Sequence, residues 1–86
     1  VMIFDTWGGV LSTREFSAFS LQWMQQIVSE LRADPQSAKT PIILFTKQGG
    51  QWLEELASTG CDCLGIDWST NLKNARDRVG NNVALQ

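Results

Sequence analysis

Short apolar runs alternate with amphipathic stretches along the whole chain, and this alternation limits the folds open to it. Residues 1–6, 41–46, 61–68 and 83–85 read as strands, nearly continuous in apolar character as strands buried on both faces are. The first ends at the turn signal Trp7-Gly8-Gly9. Ser12-Thr13-Arg14-Glu15 then matches a capping box, in which the serine accepts from a free backbone N–H and the glutamate reaches back to the cap. The helix it opens places Phe16, Phe19, Trp23, Ile27 and Leu31 on one expected buried stripe, with Met24 and Val28 beside them, and ends at Asp34-Pro35. Lys47-Gln48-Gly49-Gly50 leads into a short helix bearing Trp52, Leu53, Leu56 and Ala57, with Gly60 at the C′ position. Ser69 or Thr70 is the expected cap of a third helix through Leu72, Ala75 and Val79, which Gly80 ends.

The resulting order, β-α-β-α-β-α-β, needs crossover connections, and right-handed crossovers build a parallel sheet with helices packed on it. Two α/β architectures remain: a small open sheet, or about half of a (β/α)8 TIM barrel. A complete barrel typically takes about 250 residues, so 86 would be roughly a third of one. The chain opens inside one apolar run and closes in another, so both ends look cut from something longer. That favours residues 1–86 as a partial barrel segment, with no complete domain. Such a piece leaves strand edges and one barrel face uncovered, and self-association through those edges is expected.

Charge and composition narrow the chemistry. Seven Lys plus Arg against nine Asp plus Glu give a net charge of −2 without a basic cluster, which argues against nucleic acid as a partner. No histidine is present, which removes the usual general base and the commonest metal ligand. Cys61 and Cys63 lack the spacing and companions of a zinc site and read as buried strand residues in a reducing, cytoplasmic setting. No run reaches the 18 or so apolar residues of a membrane span, so no membrane is expected.

In either architecture ligands meet the C-terminal ends of the strands. Those positions are Asp5, Thr6 and Trp7, then Thr46 and Lys47, then Asp67 and Trp68, with Gln86 closing the fourth. Strand geometry puts Phe4 and Thr6 on one face and Asp5 and Trp7 on the other. Thr6 can hydrogen-bond a substrate or tie down its own turn. Asp5 and Asp67 can serve as acids or bases, or accept from loop N–H groups. Lys47 with Gly49-Gly50 suggests anion capture without the full P-loop pattern, which would make the chain a free-standing anion-binding module. Trp23 and Trp52 are expected to pack on the sheet, while Trp7 and Trp68 stand at strand ends. No complete catalytic constellation can be assembled from these residues.

The strand-end signatures Phe4-Asp5-Thr6-Trp7-Gly8-Gly9, Leu44-Phe45-Thr46-Lys47-Gln48-Gly49-Gly50-Gln51-Trp52-Leu53-Glu54, and Gly60-Cys61-Asp62 with Gly65-Ile66-Asp67-Trp68 resemble the uroporphyrinogen decarboxylase family, bacterial members above all. The resemblance runs along all 86 residues, through Arg76, Val79-Gly80-Asn81 and Val83-Ala84-Leu85-Gln86. It implies a cofactor-free lyase of haem biosynthesis on a (β/α)8 barrel, a cytoplasmic homodimer that converts uroporphyrinogen III to coproporphyrinogen III. This segment would supply about the fourth to seventh strands. The family's aspartate for the pyrrole N–H groups, its substrate-binding arginines, its tyrosine and its histidine after the last strand have no match here, so the segment alone is expected to be inactive. Thr6 matches the hydroxyl residue of the family's Phe-Asp-Ser/Thr motif, which implies substrate contact, and Phe4 would line the cleft below it. Gln48 departs from the family pattern, standing where bacterial members often have glycine. Cobalamin-linked methyltransferases share the barrel and remain a more distant alternative, though they need zinc ligands that this segment does not display.

Overall fold

The computed structural model describes all residues, 1–86. Four strands, β1 (Met2–Asp5), β2 (Ile43–Thr46), β3 (Cys63–Gly65) and β4 (Ala84–Leu85), form one sheet in the order β1-β2-β3-β4. Every neighbouring pair is parallel. Between them lie α1 (Thr13–Phe16), a π-helical turn (Ser17–Leu21) and α2 (Gln22–Ala33), then α3 (Leu53–Ala57), then α4 (Leu72–Val79). Short 3-10 turns at Gly8–Val10 and Gly49–Trp52 precede the first and second helical stretches. The alternation read from sequence is the alternation found.

Register decides which face is covered. Ile3, Leu44, Leu64 and Leu85 share one row across the four strands. Leu44 and Leu64 are fully buried in a single cluster with Phe16, Met24, Val28, Leu53, Leu56, Ala75 and Val79 from the helices, and Ile3 and Leu85 pack against it. The alternate rows, Met2–Ile43–Cys63–Ala84 and Phe4–Phe45–Gly65, lie outside that core, and Met2, Phe4 and Ala84 are exposed. All the helices therefore cover one face of the sheet and leave the other bare. An open doubly wound sheet has helices on both faces, whereas a barrel segment has them only on its outside. The one-sided layer is the arrangement expected of part of a barrel.

The capping box forms as read: the Ser12 hydroxyl accepts from the Glu15 N–H, and the Glu15 carboxylate accepts from the Ser12 N–H at 3.1 Å. The stripe behind it is shifted, which corrects the sequence reading. Phe16, Ser20, Met24 and Val28 are the buried line, while Phe19, Trp23 and Ile27 are 71%, 55% and 42% exposed. Trp23 does not pack on the sheet. Four-residue steps in a regular α-helix overshoot each turn by about 40°, and the π-helical turn, whose hydrogen bonds span five residues, takes back part of that overshoot. Trp52 does pack inside, stacked on Phe16 with ring centroids 3.9 Å apart and planes 4° from parallel.

The cap of α4 is also corrected, from Ser69 or Thr70 to Asn71, whose side chain accepts from the Asn74 N–H at 3.0 Å. The Ser69 hydroxyl is already committed to Asp67. Gly60 and Gly80 take positive φ values of 91° and 65°, which suits the two helix ends they follow. At the N-terminal edge of the sheet Arg32 donates to the carbonyls of Ala38, Thr40 and Gly60 and to Asp62, whose carboxylate also accepts from the buried Ile42 N–H at 2.7 Å. This network joins the end of α2 to the entries of β2 and β3. No helix is long and apolar enough to cross a membrane.

Candidate functional site

The C-terminal ends of β1, β2 and β3 bring together the Thr6, Lys47 and Asp67 loops. Thr6 follows β1 directly and is exposed, two residues past Phe4 on the bare side, while Asp5 turns toward the helix-covered side, where it pairs in register with buried Thr46. Of the strand-end residues, Phe4 stands on the open face and Thr6 is exposed just beyond the end of its strand. The rings of Phe4 and Phe45 meet edge to face at 6.1 Å, forming an apolar floor below Thr6. Phe45 was not among the candidates read from sequence, although its place two residues before Lys47 carried the same alternation signal.

Asp5 is held as an acceptor. Its Oδ1 accepts from the Trp7 N–H at 3.1 Å and its Oδ2 from the Ser20 hydroxyl. Gly8 lies hard against this carboxylate, since a Cβ there would stand 2.4 Å from Asp5 Oδ2 and from Thr46 Cγ2. The second loop is laced to the first, with Gly9 N–H donating to the Lys47 carbonyl at 3.1 Å and Lys47 N–H to the Asp5 carbonyl at 3.0 Å. The Thr6 turn thus has little freedom of its own.

Asp67 is likewise an acceptor. It receives the Gln48 N–H at 2.6 Å and both the N–H and hydroxyl of Ser69, at 3.0 and 2.5 Å. Burial pushes its carboxyl up, but the Ser69 hydroxyl, the two N–H groups and the nearby Lys47 charge outweigh burial and hold it below the ordinary range. A carboxylate so satisfied is a poor general base near neutral pH. Gln48 adopts the left-handed region, with φ 58° and ψ 27°, the conformation for which glycine is suited.

Around Lys47 and the Gly49-Gly50 turn, where the sequence suggested anion capture, several polar groups are engaged within the protein. The Lys47 ammonium lies over the Trp68 ring, 5.9 Å from its centroid, and the Gln48 N–H is donated to the protein's own Asp67 carboxylate. The nearby guanidinium of Arg78 makes a two-pronged pair with Glu54 at 2.7 and 2.5 Å and also donates to the Gly50 and Gln51 carbonyls. Arg78 holds the Glu54 carboxyl below its usual value, burial opposing. Cys61 is buried and Cys63 half-buried, and burial pushes both thiols up, so neither is an activated nucleophile. No three His, Cys, Asp or Glu groups lie close enough together to hold a metal ion.

Beside the Thr6 turn, a groove of about 520 Å³ runs along the free edge of β1 and over α2. Phe4, Thr6, Trp7, Phe19, Trp23 and Ile27 are among its walls, and 9 of its 12 lining residues are hydrophobic. The shifted helix stripe therefore faces this groove and not the sheet.

Comparison with known proteins agrees along the whole length. Residues 1–86 match the family model described as Uroporphyrinogen decarboxylase (URO-D). Over 86 residues the chain is 59% identical to a uroporphyrinogen decarboxylase of Idiomarina loihiensis, and 58% identical to those of Hydrogenovibrio crunogenus and Klebsiella pneumoniae. Each alignment takes in 100% of this chain and 24% of the relative, so the chain spans about a quarter of the length of the proteins it matches.

Proposed function

The chain belongs to the uroporphyrinogen decarboxylase family, and from that premise we propose that the protein of which it is a segment decarboxylates the four acetate side chains of uroporphyrinogen III to give coproporphyrinogen III. Residues 1–86 are then part of a (β/α)8 barrel domain whose remaining strands extend the sheet beyond β1 and β4. The whole protein acts without a cofactor, in the cytoplasm, as a homodimer. The 86 residues alone are inactive, because the aspartate, arginines, tyrosine and histidine that the family uses on its substrate have no match among them.

The observation that carries the reading is the one-sided helix layer, which leaves Phe4 on the bare face and exposed Thr6 just past it at the C-terminal end of the sheet. In a barrel that face is the interior and that end is the mouth. In this reaction the bond between a side-chain methylene and its carboxyl breaks, carbon dioxide leaves, and the electron pair passes into a protonated pyrrole. A proton then adds to the methylene carbon while the ring gives up the proton it had taken, which restores the pyrrole and leaves a methyl group. The site must therefore hold a macrocycle in place and stabilise its positive charge while the bond breaks. Thr6 has no titratable group suited to proton transfer, so its part is to hydrogen-bond and orient the substrate, with Phe4 against the macrocycle's apolar body.

The test is turnover of uroporphyrinogen III by the full-length protein carrying this segment, beside its Thr6→Val variant. Loss of one neutral hydrogen bond to substrate corresponds to about a three- to tenfold higher KM, with kcat nearly unchanged. A full-length protein that folds but releases no coproporphyrinogen would refute the assignment.

A further inference from the structure

We infer that Ser20 is a positioning residue for Thr6: its buried hydroxyl fixes the Asp5 carboxylate, and that carboxylate fixes the turn from which Thr6 projects. The inference rests on the reading of Thr6 as a substrate contact and adds to it a residue 14 positions away in sequence.

Ser20 is 8% exposed and stands in the buried line between Phe16 and Met24, where an apolar side chain would be the ordinary choice. A hydroxyl there is costly unless it is hydrogen-bonded. Its partner is Asp5 Oδ2, while the other oxygen of the same carboxylate accepts from the Trp7 N–H at 3.1 Å. Thr6 is therefore held on both sides, by the Lys47 N–H on the Asp5 carbonyl before it and by the Asp5 carboxylate on the Trp7 N–H after it. Gly8 closes the packing around the carboxylate, leaving no room for a side chain.

The helix is adapted to this contact. Ser20 lies inside the π-helical turn Ser17–Leu21, which keeps it in line with Phe16 and Met24 and beneath the end of β1. Such turns are rare and frequently lie at functional sites. Three features of different origin, a buried hydroxyl, a π-helical turn and a two-ended carboxylate, converge on the backbone of one exposed threonine.

The experiment uses the full-length protein, with KM and kcat for uroporphyrinogen III and the hydrogen-exchange rate of the Trp7 amide as readouts. Ser20→Ala raises KM about three- to tenfold, changes kcat less than about twofold, and speeds Trp7 exchange while the β2 amides keep their rates. Ser20→Cys, a weaker donor, falls between Ser20→Ala and the unmodified protein. Because Ser20 acts through Thr6, Ser20→Ala adds nothing to KM in a Thr6→Val background, whereas a merely structural loss would multiply with it. Unchanged Trp7 exchange in Ser20→Ala, an unchanged KM, or full multiplication in the double variant overturns the inference. If Thr6→Val leaves KM unchanged, the substrate-contact reading fails and Ser20 loses its functional role with it. If the unmodified protein shows no turnover, the activity reading fails by itself, and Trp7 exchange still decides whether Ser20 holds the turn.

Discussion

Replacing Gln48 by glycine should stabilise the chain, although it deletes a side chain and adds no contact. Gln48 sits at φ 58° and ψ 27°, where a residue with a Cβ costs roughly 1–2 kcal/mol relative to its preferred regions. Its side chain is exposed and makes no hydrogen bond, so little is lost with it. The bond from the Gln48 N–H to Asp67 belongs to the backbone and survives the change. Against the relief stands the extra freedom glycine has in the unfolded chain, about 0.5–1 kcal/mol. The net expectation is a gain of about 0.5–1 kcal/mol, or a rise in Tm of roughly 2–8 °C for a chain of this size. Urea denaturation of the unmodified chain, Gln48→Gly and Gln48→Ala at one protein concentration provides the measurement. Alanine removes the same atoms beyond Cβ but keeps the Cβ itself, so it should give no comparable gain. If alanine matches glycine, or if glycine lowers the urea midpoint, left-handed strain at Gln48 is not what limits this loop.

Thr46→Val should stabilise by about 1 kcal/mol in the same assay, because the Thr46 hydroxyl is buried without a hydrogen-bond partner and valine keeps its shape; a loss would mean that the hydroxyl is satisfied in solution. The carboxyl of Asp62 is held low by the Ile42 N–H first and by Arg32 second, against burial. A carboxyl depressed in the folded state stabilises above its unfolded pKa of about 3.9 and loses that contribution as pH falls through the folded value. Stability should therefore drop on acidification below about pH 4, and Asp62→Asn should flatten part of that drop while lowering stability at pH 7; an unchanged pH profile would count against the Ile42 N–H and Arg32 contacts as what holds this carboxyl low. Finally, the Phe19, Trp23 and Ile27 stripe and the free edge of β1 should make the isolated chain self-associate. Sedimentation should show mass rising with concentration, and glutamine at all three positions should suppress the rise; a monomer at every concentration would refute this.

Much of the fold could be read from local pattern. Apolar runs, turn signals and the Ser12–Glu15 box depend on residues within a few positions of one another, and the alternation and parallel order follow them, although the run read over 61–68 pairs as a strand only over Cys63–Gly65. The strand ends were likewise readable as the candidate places for ligand chemistry, but local pattern left Thr6 one candidate among several, and only the family resemblance implied that it meets substrate. Ser20 escaped because its partner lies 15 residues away, and a serine four residues from both Phe16 and Met24 looks like an interruption of the stripe until Asp5 is beside it. The cap of α4 was misplaced for a similar reason, since the Ser69 hydroxyl is taken by Asp67 and only Asn71 is free to accept the Asn74 N–H.

By itself, then, the sequence determined the alternation of strand and helix, the helix start at Ser12, the helix ends near Gly60 and Gly80, and the lack of any histidine for proton transfer. Each of these is a property of a residue or of its near neighbours. The tertiary structure alone decided that every helix lies on one face, that Phe4 looks out from the other, and that Phe19, Trp23 and Ile27 face a groove. Period-two geometry makes the two faces of a strand equivalent, and only pairing in register with distant strands breaks that symmetry. Likewise, a π-helical turn moves a stripe around its helix without changing a residue, so the buried line could be settled only by what the helix packs against.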